Sequence, residues 1–210
     1  MSSVASIQLS SGPNIRANLL EVSKYLEEIS KTQSKLVVLP ENFALMPEDD
    51  LSFLDNAEDI GSGPIQEFIS ESAKKYKLWI IEDACHALGA KYKYKNKFLN
   101  IGSCRHADVS TFSLHPLKTI TSGEGGIITT NNAKIAKNIQ LFRSHGISRG
   151  KKYWEYNVLK HGYNYRLSDL NCALGLSQLD KIGLFLKMRK RIYLRYINSL
   201  KNYNIEFQGS

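Results

Sequence analysis

The chain of 210 residues is short of cysteine and proline and has no long apolar run. Its three cysteines, Cys85, Cys104 and Cys172, are odd in number and have neither metal-ligand spacing nor a disulfide rhythm. That excludes a disulfide-stapled scaffold and a zinc module, and leads us to expect buried free thiols in a reducing compartment. No window reaches the roughly eighteen uninterrupted apolar residues that a membrane helix needs. The opening MSSVASIQLSSG also lacks the basic-then-apolar layout of a signal peptide. We therefore expect a cytoplasmic protein with no membrane partner and no metal.

What is there is a composition of ordinary globular type, 42% hydrophobic and 23% charged, long enough for one large domain or two small ones. The formal net charge of +8 is unevenly spread. Residues 1 to 80 hold 7 Lys and Arg against 12 Asp and Glu, whereas residues 81 to 210 hold 21 against 8. Charge asymmetry of this kind can mark nucleic-acid binding. The basic residues, however, are scattered over KYKYKNK, RGKKY and KMRKR, without the layout of a nucleic-acid module. No nucleic-acid partner is expected; a phosphate-bearing substrate, a solvated helix face or a different origin for each half accounts for the charge.

Hydrophobic periodicity places the elements. VASIQL reads as a short strand, and Ile15, Leu19, Val22, Leu26 and Ile29 recur at three- and four-residue intervals, as on the buried side of a helix. LVVLP has the pattern of a strand buried on both faces. After an acidic loop, Pro64 opens a helix with Ile65, Phe68, Ile69, Ala73 and Tyr76 on one side, and LWII follows as a buried strand. This βαβαβ order predicts an α/β protein. Further on, VSTFSL reads as a strand and TSGEGGIITT as a glycine turn entering another. AKIAKNIQLFRSHG reads as a helix closed by Gly146. A long amphipathic helix is predicted from RLSDL, capped by Ser168 or Asp169, with Leu170, Leu174, Leu179, Ile182 and Leu186 along one side.

From Glu82 to residue 207, EDACHALGA, STFSLHPLKTITSGEGGIITTN, LFRSHG and GYNYRLSDLNCALGLSQL follow one another in the order and approximate spacing of the DegT-type sugar aminotransferases. This stretch resembles in particular the members that aminate the 4-keto group of a deoxy nucleotide sugar. The resemblance implies pyridoxal 5'-phosphate (PLP) as cofactor and glutamate as amino donor. It makes Lys118 the amine that joins PLP covalently and then moves a proton between carbon atoms. Asp83 would pair with the pyridine nitrogen, His86 would lie beside the ring, and Ser113 would donate its hydroxyl to the phosphate. Asn164 of GYNYR would reach the phosphate of a neighbouring subunit's cofactor, which implies a homodimer. Gly123, Gly125 and Gly126 read as devices for a tight turn, since no strand and helix flank them in nucleotide-fingerprint order.

Residues 4 to 80 resemble a second family, the nitrilases or carbon-nitrogen hydrolases. VASIQL, an N-x-x-x-N-L-L segment before a helix, KLVVLPENF and GPIQEFISESAKKYKLWII follow that family's opening in order. LPENF places Glu41 where the family keeps its general base, a role that suits a strand-end carboxylate whose pKa is raised by partial burial. The catalytic lysine and nucleophilic cysteine that such an enzyme also needs have no matching motif. The switch between resemblances falls in AKKYKLWIIEDACHA.

The expectation is thus an α/β mosaic: a nitrilase-like βαβαβ opening over residues 1 to 80, and a fragment of a PLP-transferase large domain over residues 81 to 210. The upstream phosphate-binding Gly-Thr/Ser segment, the aromatic that covers the ring and the small C-terminal domain have no counterpart in the sequence. Nucleotide-sugar transamination is therefore expected to be weak, with carbon-nitrogen hydrolysis or an inactive fusion as the alternatives.

Overall fold

The computed structural model describes residues 3–47, 55–59, 61–152, 154–203 and 205. Most of the acidic loop predicted between LPENF and Pro64 lies outside them. Two compact units divide the chain between Ile80 and Ile81, with residues 93–97 grouped with the first.

In the first unit, β1 (Val4–Ser6) pairs in parallel with β2 (Leu36–Val38), Val4 opposite Leu36 and Ser6 opposite Val38. Between them runs α1 (Ile15–Ser30), and α2 (Pro64–Tyr76) follows. Asn14 starts α1 by accepting the Ala17 N–H at 3.0 Å, meeting one of the donors that a helix leaves unpaired at its start. Ile7, Val22 and Leu26 form the buried centre, with Val37, Leu39, Phe68 and Tyr76 packed around it. Asn18 is buried on the same helix and acts as a brace. Its Nδ2 donates to the carbonyls of Gly12 and Ala44, both at 2.8 Å, and its Oδ1 accepts the Gly12 N–H at 3.1 Å. The two asparagines of the N-x-x-x-N-L-L segment are thus a helix cap and a loop tie.

Three expectations for this half need correction. Leu36, Val37 and Val38 are half-buried or exposed, because the sheet of β1 and β2 has only two strands and leaves a face open. LWII is not a strand. The Leu78 N–H closes α2 by bonding to the Ala73 carbonyl and the Trp79 N–H goes to Lys35, so the strand begins only at Ile81. Finally, that strand, β3 (Ile81–Asp83), pairs with a later strand rather than with β1 or β2, so the opening is not a continuous βαβαβ sheet.

The second unit is built on a three-stranded sheet of order β3-β6-β7. β6 (Val109–Ser113) is parallel to β3, with Ile81 opposite Val109 and Asp83 opposite Thr111, and antiparallel to β7 (Gly126–Thr129). The connection from β3 to β6 contains a hairpin that sequence reading missed, β4 (Lys91–Tyr94) and β5 (Lys97–Asn100). Lys95 and Asn96 both take positive φ at its turn, the conformation that matches a two-residue hairpin to strand twist. KYKYK alternates lysine with tyrosine, the period-two pattern of a strand with one face in solvent, which its basic charge overshadows. Phe112 and Leu114 of the β6 segment, Ala84 and Ile120 are buried in this unit.

Four further elements complete it: α3 (Ala133–Arg143), the antiparallel pair β8 (Ile147–Arg149) and β9 (Tyr156–Val158), and α4 (Asp169–Leu179) with α5 (Ile182–Leu200). Gly146 closes the α3 turn at φ 68°, its N–H bonding to the Leu141 carbonyl at 2.7 Å. Ser168 caps α4 by accepting the Asn171 N–H. The single long helix expected here is two helices. Its hydrogen-bond ladder is interrupted at Asp180 and Lys181, where Lys181 takes a non-helical start for α5 and accepts from the Phe185 N–H. Leu170 and Leu174 are exposed, so the predicted apolar side of α4 is not a core face of this unit. The cysteines are free, but Cys85 and Cys104 are only half-buried and Cys172 is exposed, which corrects the expectation of buried thiols. Among the described residues, no helix is long and apolar enough to cross a membrane.

The Asn18 brace generates a prediction. Asn18→Ala would leave the Gly12 and Ala44 carbonyls without their donor in a buried place, at a cost of about 1–3 kcal/mol. Loss of the Asn14 cap in Asn14→Ala should cost about 1 kcal/mol. Urea unfolding followed by fluorescence should therefore rank the variants with Asn18→Ala below Asn14→Ala, and the reverse order would refute the brace.

Candidate active site

The parallel pairing of β3 with β6 sends the chain out of both strands at the same end of the sheet. The turn after β3 carries Asp83, Cys85 and His86; the loop after β6 carries Lys118. That loop is closed at its neck. The Leu114 N–H bonds to the Gly125 carbonyl at 2.8 Å, and the Ser122 N–H and Thr121 hydroxyl bond to the Leu114 carbonyl at 3.1 and 2.9 Å. Buried Ile120 anchors it from within, and the Lys118 N–H folds back onto the His115 carbonyl at 3.0 Å.

The glycines of SGEGG serve this neck. Gly123 and Gly125 take φ of 83° and 138°, and a Cβ on Gly126 would approach the Phe112 carbonyl oxygen to 2.9 Å. From α4, the Asn171 side-chain amide donates to the Ser122 carbonyl and fixes the same turn.

The two loops meet at their side chains. Lys118 Nζ lies 2.7 Å from His86 Nε2, an amine donating to an imidazole nitrogen. Asp83 sits at the end of β3, where the Cys85 thiol and then the Cys85 backbone N–H, at 3.0 Å, donate to its carboxylate. These bonds, with the positive charge of Lys118 beyond them, hold the Asp83 pKa below its usual range. The same hydrogen bond, burial and the negative charge of Asp83 push the Cys85 thiol up. Asp83 and His86 are exposed, and Lys118 is half-buried.

Ser113 ends β6 and accepts the His115 N–H at 3.3 Å, which leaves its own proton available to another acceptor. Asn164 lies elsewhere. It forms an isolated bridge with Ser144, between Tyr163 and Tyr165, whose rings stack 4.9 Å apart. No hydrogen bond described here joins Asn164 to Asp83, His86, Ser113 or Lys118. Glu41 occupies an exposed turn after β2 in the first unit.

Two contributors had no sequence signal. Cys85 tunes Asp83 through a turn only two residues long, and Arg189 of α5 donates from Nη2 to the Lys118 carbonyl at 3.2 Å across 71 positions of sequence. The residues present fit PLP: an amine that a carbonyl compound can capture, a carboxylate kept ionised and a strand-end hydroxyl meet at one end of one sheet.

Residues 64–209 match the DegT/DnrJ/EryC1/StrS aminotransferase family, and the chain belongs to it. Residues 3–102 match the carbon-nitrogen hydrolase family, so the two matches overlap over residues 64–102, from α2 through the hairpin of β4 and β5. The chain is 44% identical over 146 residues to the UDP-4-amino-4,6-dideoxy-N-acetyl-beta-L-altrosamine transaminase of Campylobacter jejuni, covering 65% of this chain and 37% of that protein. It is 40% identical to the GDP-perosamine synthase of Caulobacter vibrioides over 59% of this chain and 31% of that one.

Among solved structures, Helicobacter pylori PseC, an aminotransferase involved in the biosynthesis of pseudoaminic acid, aligns with 96% of this chain and 52% of its own. The TM-score is 0.58 and the identity 27%. A DegT DnrJ EryC1 StrS aminotransferase from Brucella abortus shares the fold at TM-score 0.61 and 21% identity, over 96% of this chain and 53% of that one. The chain thus spans about a third of the length of these curated relatives and about half of these structures. Members of this family of sugar aminotransferases depend on PLP.

The Asp83–Cys85 contact sets a pH dependence. A carboxyl whose folded pKa is depressed contributes stability that is present above its unfolded pKa and is lost as pH falls through the folded value. A thiol whose pKa is raised contributes below its unfolded value and loses that contribution as pH rises through the folded one. Both groups are largely solvated, so the effect on stability is small and the local readouts are sharper. Asp83→Asn should make Cys85 alkylate faster at mildly alkaline pH, because its thiolate then forms at lower pH. Equal alkylation rates in the two proteins would contradict the contact.

Proposed function

We propose that residues 81 to 210 form the central part of a nucleotide-sugar aminotransferase site that takes PLP, transferring an amino group from glutamate to a 4-keto deoxy sugar nucleotide. The observation that carries this is the 2.7 Å approach of Lys118 to His86 beside an ionised Asp83, in a stretch of chain that matches the aminotransferase family. When bound, PLP supplies an electron sink that lets an amino group move between carbon atoms.

The chain's own part is to bind, orient and exchange protons. Lys118 Nζ would be the amine that attaches the cofactor and holds or returns a proton. His86 would orient that amine and lie beside the ring. Asp83, kept ionised by the Cys85 donors, would pair with the pyridine nitrogen and favour its protonated form. Ser113 would donate to the phosphate. Asn164 would reach the phosphate of a partner's cofactor, which would make the functional unit a homodimer.

Residues 1 to 80 are, in this proposal, a nitrilase-like segment joined to the aminotransferase-like one, supported by the two overlapping family matches. Glu41 would be the base of a carbon-nitrogen hydrolase, the second reading. A base alone cannot form the covalent intermediate of such an enzyme, and no residue of a nitrilase lysine or cysteine motif accompanies it. Transamination by this chain is itself weak: the segment that would cradle the phosphate and the aromatic that would cover the ring have no counterpart in the sequence, and a slip of about 1 Å in an oriented site costs roughly a hundredfold.

Two measurements test this. With added PLP and borohydride, peptide mass spectrometry of the full chain should find the cofactor on Lys118 at partial occupancy, and label spread over many lysines would count against a formed site. Amino transfer from glutamate to a 4-keto deoxy nucleotide sugar should be slow and should vanish in Lys118→Ala. Fast turnover abolished by that substitution would keep the chemistry and overturn the weakness.

The nitrilase reading has its own test. Amide and nitrile hydrolysis should be absent from the purified chain. Hydrolysis that survives purification and disappears in Glu41→Gln would restore that reading.

A further inference from the structure

Arg189 occupies a place on α5 that its neighbours give to apolar side chains. Ile182, Phe185, Ile192 and Tyr196 recur at three- and four-residue intervals, and Arg189 falls within their row. The other basic residues of the helix, Lys187, Lys190, Arg191 and Arg195, line a different face together with Leu184 and Asn198. Arg189 is exposed, as Ile192 and Tyr196 are, and what sets it apart from the four other basic residues of the helix is its acceptor. Arg189 Nη2 donates to the Lys118 carbonyl at 3.2 Å.

The same helix bears on the other loop of the site. Gly89, at φ 88°, lets Leu186 and Ile182 approach so closely that a Cβ there would lie 2.8 Å and 3.2 Å from their Cδ1 atoms. Helix α5 therefore touches both segments whose side chains meet as His86 and Lys118, one by apolar packing and one by a hydrogen bond. Beside the contact is a cavity of about 710 Å³, whose lining includes Lys118, Thr119, Phe185, Arg189, Ile192 and Tyr196.

We propose that Arg189 is a positioning residue for Lys118: by holding the Lys118 carbonyl, it sets the turn from which the Lys118 amine reaches His86. The proposal rests on the aminotransferase reading of Lys118. The neck bonds to Leu114 fix where the loop leaves the sheet, but they lie three or more residues from Lys118, and Arg189 supplies a further tie at Lys118 itself. A guanidinium suits this task because it is charged at every relevant pH, so the tie does not loosen as the amine titrates. The groups that face that amine are His86 in direct contact, Asp83 and Cys85 from the β3 turn, and Arg189 from α5 through the backbone.

The test uses the full chain and two labels. Without PLP, competitive acetylation at a single pH reads the reactivity of Lys118 relative to surface lysines such as Lys24 and Lys137. With PLP and borohydride, mass spectrometry reads the share of cofactor fixed at Lys118. In Arg189→Ala the acetylation of Lys118 relative to those lysines should rise, as the amine leaves His86, and the share of PLP at Lys118 should fall about fivefold, the effect of one lost hydrogen bond.

Arg189→Lys should restore part of both, and Lys187→Ala, on the other face, should change neither. Should Arg189→Ala melt early, Arg189→Met, which keeps the stem and removes the donor, replaces it. An unchanged acetylation profile and PLP share in a folded Arg189→Ala chain would overturn the proposal, as would an equal change in Lys187→Ala. If the unmodified chain fixes no PLP at Lys118, the aminotransferase reading fails, while the acetylation profile still decides the role of Arg189.

Discussion

The candidate site depends on one pairing, the parallel ladder of β3 and β6. Because the two strands run the same way, with Glu82 opposite Ser110 and Asp83 opposite Thr111, both leave the sheet at the same end. Residues more than thirty positions apart, His86 and Lys118, can then approach within hydrogen-bond distance. The ladder is reinforced from its side chains, since the Ser110 hydroxyl, fully buried, donates to the Glu82 carboxylate. A shift of register by one residue would turn Asp83 to the other face of the sheet and separate it from Lys118.

Around that pairing, stiffness is distributed unequally. The Lys118 loop is pinned by its neck bonds, by buried Ile120 and by an amide from Asn171. The β3 turn is held locally, through the Asp83–Cys85 contact and the close approach of α5 side chains at Gly89. The candidate polar groups are thus fixed mostly through backbone hydrogen bonds around them.

The first unit has a separate logic. A small apolar centre of Ile7, Val22 and Leu26 is supplemented by the Asn18 brace, which ties loops on either side of α1. The overlap of the two family matches begins at α2, takes in β3 and runs on through the hairpin of β4 and β5. A helix end followed by a half-buried strand is a pattern common to many α/β proteins, and it is the kind of segment that two unrelated sequences can share without either losing its local structure.

Much of the family and of the local structure was legible in the sequence. Motifs such as FSLHPLK with SGEGG, and GYNYRLSDL, are local strings whose order survives any folding. The helix starts at Pro64 and Ser168 and the strands VSTFS and GIIT follow from periodicity and from the needs of helix ends. The sequence pointed to LWII as a strand and to one long final helix, and both failed for the same reason: backbone donors near Leu78 and Lys181 are spent on closing and starting helices, which apolar spacing does not report.

The half-exposed cysteines, the partner of β3 and the reach of Arg189 to Lys118 were decided only by the tertiary structure. Each depends on which distant segment arrives beside a residue. A sequence fixes the donors, acceptors and apolar groups a chain carries, but the pairing of strands and the docking of α5 select which of them meet.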